Sequence, residues 1–253
     1  MTNTEKVQAL LEAIETGDPG PFAIIHPDRY VQHNLQIPDG ADGIAGVLQH
    51  KPPQGFKARV VRVFEDGPFV VAHTEYDFFG PKVGFDVFQF EDARIVEHWD
   101  NLADVQPRNR SGRSQFDGPT EVQDRGRTQA NKDLVRRFIE DNWIAGKETG
   151  LDYVHPTYLQ HNPLGADGWD SFLAALAGMR TQGIAMSFTR IHQVIGEGNF
   201  VLAMSEGVYG PHGGAPTSFY DLFRLEAGKI AEHWDVIELI LPRGQWRHAN
   251  GKF

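Results

Sequence analysis

The chain repeats itself once, at long period, and this limits its fold more than any other feature. Tyr30-Val31-Gln32-His33-Asn34 recurs as Tyr158-Leu159-Gln160-His161-Asn162. Glu97-His98-Trp99-Asp100 recurs unchanged as Glu232-His233-Trp234-Asp235. Gly40-Ala41-Asp42-Gly43 is matched by Gly165-Ala166-Asp167-Gly168, and Phe85-Asp86-Val87-Phe88 by Tyr220-Asp221-Leu222-Phe223. All four matches keep their order. The spacing is far too long for a solenoid repeat and has the length of an ordinary domain. The 253 residues are therefore expected to form two copies of one domain. The expected division is 1–104, a linker over 105–127, and 128–253. The linker stretch holds Pro107, Gly112, Gly118, Pro119 and Gly126 among polar residues, a composition that builds no core.

Composition narrows the chemistry. The formal charge is −10, which disfavours nucleic acid and anionic membranes as partners. There is no cysteine, so disulfides, thiolate catalysis and cysteine-ligated metals are excluded. The first residues, MTNTEKVQALLEAIE, lack a signal peptide's basic-then-apolar order, and no apolar run approaches membrane-span length. A cytoplasmic location is the expectation.

Each half has the same order of elements. Val7, Leu10, Leu11 and Ile14 form a one-face helical stripe, opened by Thr2 and Glu5 at capping-box spacing and closed by Gly17. Leu134, Val135, Phe138, Ile139 and Trp143 answer it. The QHN segments follow as loops. A short helix comes next, around Ile44, Val47 and Leu48 and around Phe172, Leu173 and Leu176. The period then shifts to that of strands: 56–64, 69–79, 83–90 and 94–100 in one half, 185–195, 200–209, 218–225 and 230–237 in the other. Helices followed by an antiparallel meander give an α+β class. A sheet curled around its helices would leave a conical cavity. His212-Gly213-Gly214 is expected to be a loop that could cover it.

Strand alternation selects the candidate site. Asp86 shares a face with Phe88 and Phe90, and Asp221 shares one with Phe223 and Leu225. His98 and Asp100 share a face, as do His233 and Asp235. The sequence distance between the two aspartates is the same in each half. Two carboxylates facing an apolar cavity split their pKa values and support acid–base work. The alternative is structural: a strand-end cap for the aspartates and carbonyl-bound histidines for His98 and His233. His33-Asn34 and His161-Asn162 could point into the cavity mouth or form polar turns. Tyr30 and Tyr158 are donors or core, and Trp99 and Trp234 are core. His73, answered by Met204, is a difference between the cavities. No HxH, HExxH, Walker A, GxGxxG or GxSxG pattern is present, so no cupin-type or zincin metal site, nucleotide-binding loop or nucleophile elbow is indicated.

Phe219-Tyr220-Asp221-Leu222-Phe223-Arg224 followed by Gly228-Lys229-Ile230-Ala231-Glu232-His233-Trp234-Asp235 resembles the SnoaL-like polyketide cyclase family of the NTF2-like superfamily. The first half and both YxQHN segments belong to the same pattern. The resemblance implies two tandem cone-shaped domains, each a curved antiparallel sheet packed on N-terminal helices, with no metal or organic cofactor. It also implies ring closure by aldol condensation with an aspartate as acid–base. By motif position that aspartate is Asp100 and Asp235. Asp86 and Asp221 stand where the family has a pocket histidine. The expected function is cofactor-independent acid–base catalysis on a small, apolar carbonyl compound: cyclisation, isomerisation or hydration. Asp235 would be the principal acid/base, oriented with its substrate by Asp221, His161, Asn162, Tyr158 and His233. Asp100 would have Asp86, His33, His73, Asn34, Tyr30 and His98. The second half keeps the fuller motif and is favoured as active. The rival is a non-catalytic ligand-binding or assembly module. Expected partners are a small-molecule ligand and either a homo-oligomer or an internal pairing of the two domains.

Overall fold

A computed structural model describes residues 1–49, 55–147 and 149–253. The chain divides into two compact units. The first joins Met1–Asp104 to Leu241–Phe253, and the second is Val105–Ile240. This differs from a division at 104 and 127 in two ways. The Pro/Gly-rich stretch after 104 packs into the second unit, and the last thirteen residues pack into the first.

The first unit opens with α1 (Asn3–Thr16). Thr2 accepts from the Glu5 N–H, and the Glu5 carboxylate accepts from the Thr2 N–H, which completes the capping box. Gly17 ends the helix with φ 76°, a left-handed turn that glycine adopts without strain. The stripe of Val7, Leu10 and Leu11 is buried against Ala58, Val70 and Ala72. Burying each side chain is worth about 1.5–3 kcal/mol. The short edge strand β1 (Val31–Gln32) and α2 (Ala41–Gln49) follow. The meander is β2 (Lys57–Asp66), β3 (Phe69–Asp77), β4 (Pro81–Glu91) and β5 (Arg94–Asp104).

The second unit repeats this plan. α3 (Thr128–Phe138) runs into a π-helical turn at Ile139–Ile144. Then come β6 (Val154–Gln160), α4 (Trp169–Thr181), β7 (Ile184–Glu197), β8 (Phe200–Pro211), β9 (Ala215–Glu226) and β10 (Lys229–Leu239). The sheets are ordered β1-β5-β4-β3-β2 and β6-β10-β9-β8-β7. The two units are thus tandem α+β domains built on one plan.

Two local expectations are corrected. The QHN segments are loops only at His33-Asn34 and His161-Asn162: Gln32 and Gln160 end strands, with β1 and β6 paired in parallel with β5 and β10. Each sheet therefore adds one parallel edge strand to its antiparallel four. His212-Gly213-Gly214 is not a cover. It is the tight hairpin turn between β8 and β9, with His212 at φ 55°. Among the described residues no helix is long and apolar enough to cross a membrane.

Candidate functional site

Both aspartate pairs form by register. Asp86 of β4 lies directly opposite Asp100 of β5, and Asp221 of β9 lies opposite Asp235 of β10. Directly opposed residues of an antiparallel pair point to the same face. Asp86 also lies opposite Ala72, and Asp221 opposite Ala203. Ala72 and Ala203 belong to the cores beneath the helices, so all four carboxylates face the helix-covered side. Each is at most 5% exposed or, for Asp235, lodged between buried neighbours. Because the two strands join through a tight turn, equal spacing in sequence becomes adjacency in space.

A histidine completes each pair. His98 Nε2 lies 3.2 Å from Asp86 Oδ1, and His233 Nε2 lies 3.0 Å from Asp221 Oδ1. On the other side of each ring, Nδ1 lies 3.1 Å from Gln32 Oε1 in one unit and 3.1 Å from Gln160 Oε1 in the other. His98 stacks on Phe88 and His233 on Phe223. The alternative in which these histidines bind backbone carbonyls is not what the structure shows. They bridge a glutamine to an aspartate.

The asparagines hold the second carboxylate. Asn34 donates to Asp100 Oδ2 at 2.7 Å, and Asn162 donates to Asp235 Oδ2 at 2.6 Å. Each asparagine oxygen accepts a backbone N–H two residues on, from Gln36 and Leu164, which fixes the amide orientation. Tyr30 and Tyr158 are buried, and their hydroxyls accept from Gln32 and Gln160 at 3.0 and 2.9 Å. Burial and the nearby aspartates push both phenols well up, so both remain protonated.

Burial drives the electrostatics. It pushes the Asp235 carboxyl up to about 6. The charge of Asp221 adds to this rise, while His233 and the Asn162 hydrogen bond oppose it. Burial raises Asp221 well above the carboxylate range and lowers His233 to about 4. Asp86 is raised by burial too, partly offset by its hydrogen bonds from His98 and Tyr76. A carboxyl near 6 beside a protonated carboxylic acid is a pairing that can take and give a proton close to neutral pH.

Three expected members lie elsewhere. His33 and His161 do not join the aspartates. In a strand, neighbouring side chains alternate, so with Gln32 and Gln160 turned to the helix side the next residue turns away. His33 stacks on Trp99 with ring centroids 4.9 Å apart and holds Glu97 at 2.8 Å. His161 stacks on Trp234 at 4.4 Å and faces Glu232 at 3.5 Å. His73 is also on that outer face, opposite Phe85 in register and 3.0 Å from Arg62. These histidines brace the outer face and touch neither carboxylate pair.

Sequence reasoning missed four side chains. Gln32 and Gln160 were visible inside the repeated YxQHN, but nothing in that pattern marks which residue turns inward. Tyr76 donates to Asp86 Oδ2 at 2.6 Å, and its place in the second unit is taken by Gly207. Lys252, only 4% exposed, donates to the Asp100 carbonyl at 2.7 Å and lies 3.7 Å from Asp100 Oδ1.

Each unit's site is backed by a strap. In the first, the end of the chain runs along the QHN segment: Asn250 donates to the Gln32 carbonyl, and the Gly251 carbonyl meets His33 Nδ1. In the second, residues after 104 do the same. Asn109 donates to the Gln160 carbonyl, the Ser114 carbonyl meets His161 Nδ1, and Arg113 pairs with Asp167.

Asp86, His98 and Asp100, and likewise Asp221, His233 and Asp235, each bring one nitrogen or oxygen per residue within 4.8 Å of one another. Such closeness is what a cation site requires. In both trios the imidazole Nε2 is engaged by an aspartate oxygen. Two of the cavities among the described residues lie near the helices. One of about 370 Å³ in the first unit is lined by apolar residues including Ile14, Phe22, Ile25, Ile44 and Leu48. One of about 70 Å³ in the second lies among Trp143, Phe172, Met186 and Phe188, and Trp143 also reaches the His233 ring, with centroids 5.8 Å apart.

No curated protein matches the chain in sequence. Among solved structures it is similar to wild-type IdmH from Streptomyces antibioticus, at 22% identity over 40% of this chain and 92% of that one, TM-score 0.34. It is also similar to an LEH-like epoxide hydrolase of M. tuberculosis, at 21% identity over 40% and 82%, TM-score 0.35. A third is an NTF2-like protein of unknown function from Mesorhizobium loti, at 16% identity over 48% and 97%, TM-score 0.36. The model of the SnoaL-like domain matches residues 7–98 and again 135–233. Those two matches span most of the chain and fall one in each unit: the chain belongs to the SnoaL-like domain family, as a tandem duplication.

Proposed function

We propose that this protein is a cofactor-independent acid–base enzyme acting on a small, apolar carbonyl compound, by an aldol-type cyclisation, isomerisation or hydration. The observation that carries the reading is the cross-strand pair Asp221–Asp235, with burial pushing the Asp235 carboxyl up to about 6. Asp235 would remove the proton α to a carbonyl, which ends as a carboxylic acid. The enolate so formed would be stabilised by neighbouring donors: Asn162, the protonated Asp221 and the Tyr158 hydroxyl. Asp100, Asp86, Asn34 and Tyr30 form the equivalent set in the first unit. The Trp143 and Phe188 side chains would present the apolar part of the substrate.

The test needs no knowledge of the natural substrate. Small cyclic ketones in D₂O are followed by NMR for exchange of their α-protons. The protein should accelerate exchange, and Asp235→Asn should lower the rate by about 10²–10⁴-fold, the usual contribution of one acid–base group. Full exchange in a doubly substituted Asp235→Asn, Asp100→Asn protein would overturn the mechanism.

A second reading, a ligand-binding or assembly module without turnover, draws on one observation. The larger described cavity is lined by helix residues and not by the aspartates. Saturable binding of the same ketones with no exchange in either unit would favour it.

A further inference from the structure

The hydrogen bonds of Gln160 determine where the protons of the cluster lie. Its Nε2 donates to the Tyr158 hydroxyl at 2.9 Å, and its Oε1 accepts the Asn162 backbone N–H at 2.9 Å. A backbone N–H can only donate, so the atom facing it must be the amide oxygen. The same oxygen lies 3.1 Å from His233 Nδ1. An amide oxygen can only accept, so Nδ1 must carry hydrogen. A neutral imidazole holds one such hydrogen, which leaves Nε2 as a lone pair. Yet Nε2 faces Asp221 Oδ1 at 3.0 Å. Two acceptors do not approach so closely without a proton between them, so one lies on the Nε2–Oδ1 line.

The first unit repeats the set in full. Gln32 Nε2 donates to Tyr30, and its Oε1 accepts two backbone N–H groups, from His33 and Asn34, at 2.9 and 2.8 Å. His98 Nδ1 lies 3.1 Å from that oxygen, and its Nε2 lies 3.2 Å from Asp86 Oδ1. Gln32 and Gln160 are 0% and 1% exposed. Burial favours the uncharged arrangement, carboxylic acid and neutral imidazole, over an ion pair.

We infer that Gln160 and Gln32 are positioning residues that lock His233 and His98 as the Nδ1–H tautomer, making Asp221 and Asp86 the proton donors and Asp235 and Asp100 the proton acceptors of the two sites. The division of roles between the aspartates rests on the acid–base reading above. The tautomer does not. In the resting site, Asp221 keeps its proton by sharing it with the Nε2 lone pair. When a substrate oxygen gains charge, it takes that proton from Asp221 in place of Nε2, and the Oδ1–Nε2 contact opens as the proton leaves, while Asp235 takes the proton from carbon. The proton count balances within the site, and the two aspartates exchange protonation states.

The tautomer is read directly by long-range ¹H–¹⁵N correlation on the full chain labelled with ¹⁵N-histidine. His233 should show a protonated, pyrrole-type Nδ1 and a pyridine-type Nε2, and His98 the same. Gln160→Leu should scramble the His233 pattern and leave His98 unchanged. Gln160→Glu keeps an oxygen facing Nδ1 and should restore the wild-type pattern. In ketone exchange, Gln160→Leu should lose about 10-fold or more, the range for residues that orient a reactive group through hydrogen bonds, and Gln160→Glu should recover most of it. A wild-type spectrum with unprotonated Nδ1 overturns the inference, as does an unchanged His233 tautomer in Gln160→Leu. Should Gln160→Leu fail to fold, the wild-type and Gln160→Glu spectra still decide. A correct tautomer without any exchange activity would sink the enzymatic reading and leave the tautomer assignment standing.

Discussion

The two units carry the same aspartate pair and neutralise it differently. In the first, Asp86 Oδ2 receives the Tyr76 hydroxyl, and Asp100 lies beside the Lys252 ammonium. In the second, Gly207 stands where Tyr76 would be, and Asp221 Oδ2 has no hydrogen-bond partner among the described residues. The glycine is not an accident that one substitution would reverse. A Cβ at Gly207 would lie 1.9 Å from the Ser187 carbonyl oxygen. Duplication therefore preserved the acid–imidazole cluster but not its surroundings. One copy sets a tyrosine hydroxyl and a lysine ammonium against its carboxylates, although Asp100 Oδ1 itself makes no hydrogen bond among the described residues. The other keeps a buried carboxyl oxygen and a carboxyl near 6 available for a ligand.

The largest expected effect separates the units by activity. If the second is the reactive one, Asp100→Asn should leave ketone exchange within about threefold of wild type, against the 10²–10⁴-fold loss for Asp235→Asn. Equal losses from the two would erase the distinction.

Next comes Lys252. Replacing it with Met strips the cation from Asp100 in a buried setting, which costs about 3–5 kcal/mol when one partner of such a pair is removed. Hydrogen exchange should show the loss in β3–β5 of the first unit while β8–β10 stay as protected as before. Uniform loss across both sheets would mean that the tail's role is not local.

pH supplies a sharper contrast within the second unit. Asp235 is raised from the usual carboxylate range to about 6, so the folded state binds the extra proton. Its contribution is full below about pH 4 and is lost as pH rises through 6, a span of about 3 kcal/mol. His233 is lowered to about 4. Its contribution is present above about 6.5 and is lost as pH falls through 4, also about 3 kcal/mol. The two slopes oppose each other. Other shifted carboxyls, Asp221 and Asp86 among them, add a background common to all variants, so denaturant titrations from pH 4 to 6.5 are compared with the native protein. Relative to it, Asp235→Asn should make the slope of stability against pH more positive, and His233→Gln more negative. Shifts of the same sign in both variants would contradict these assignments.

The smallest effect concerns Tyr76. Tyr76→Phe removes one donor from Asp86 and should cost the first unit about 1–3 kcal/mol, the penalty for an unsatisfied buried acceptor. A lower melting temperature without change in exchange activity is the expected pair of readings.

Much of this was readable without coordinates, because it rests on local physics. The Thr2–Glu5 capping box, the Gly17 stop and the Val7-Leu10-Leu11 stripe involve residues a turn or two apart. So do the alternating strands, and equal spacing about a tight turn brought Asp86 to Asp100 and Asp221 to Asp235. The misplaced residues depend on strand partners. His33 and His161 look like site residues beside an asparagine, but one step along a strand reverses the face. A two-residue parallel strand such as β1 has too few residues to announce its period.

The sequence by itself determined the duplication, the α+β plan and which carboxylates would meet. Those follow from periodicity and from turns that span a few residues. Only the tertiary structure decided that Gln160 and Gln32 set the histidine tautomers. Only it put Lys252 against a carboxylate more than a hundred residues away and made Tyr76 a donor in one unit alone. Hydrogen bonds, pKa values and charge pairing act over a few ångströms in space, and no rule of spacing along the chain records which distant residues the fold brings within that reach.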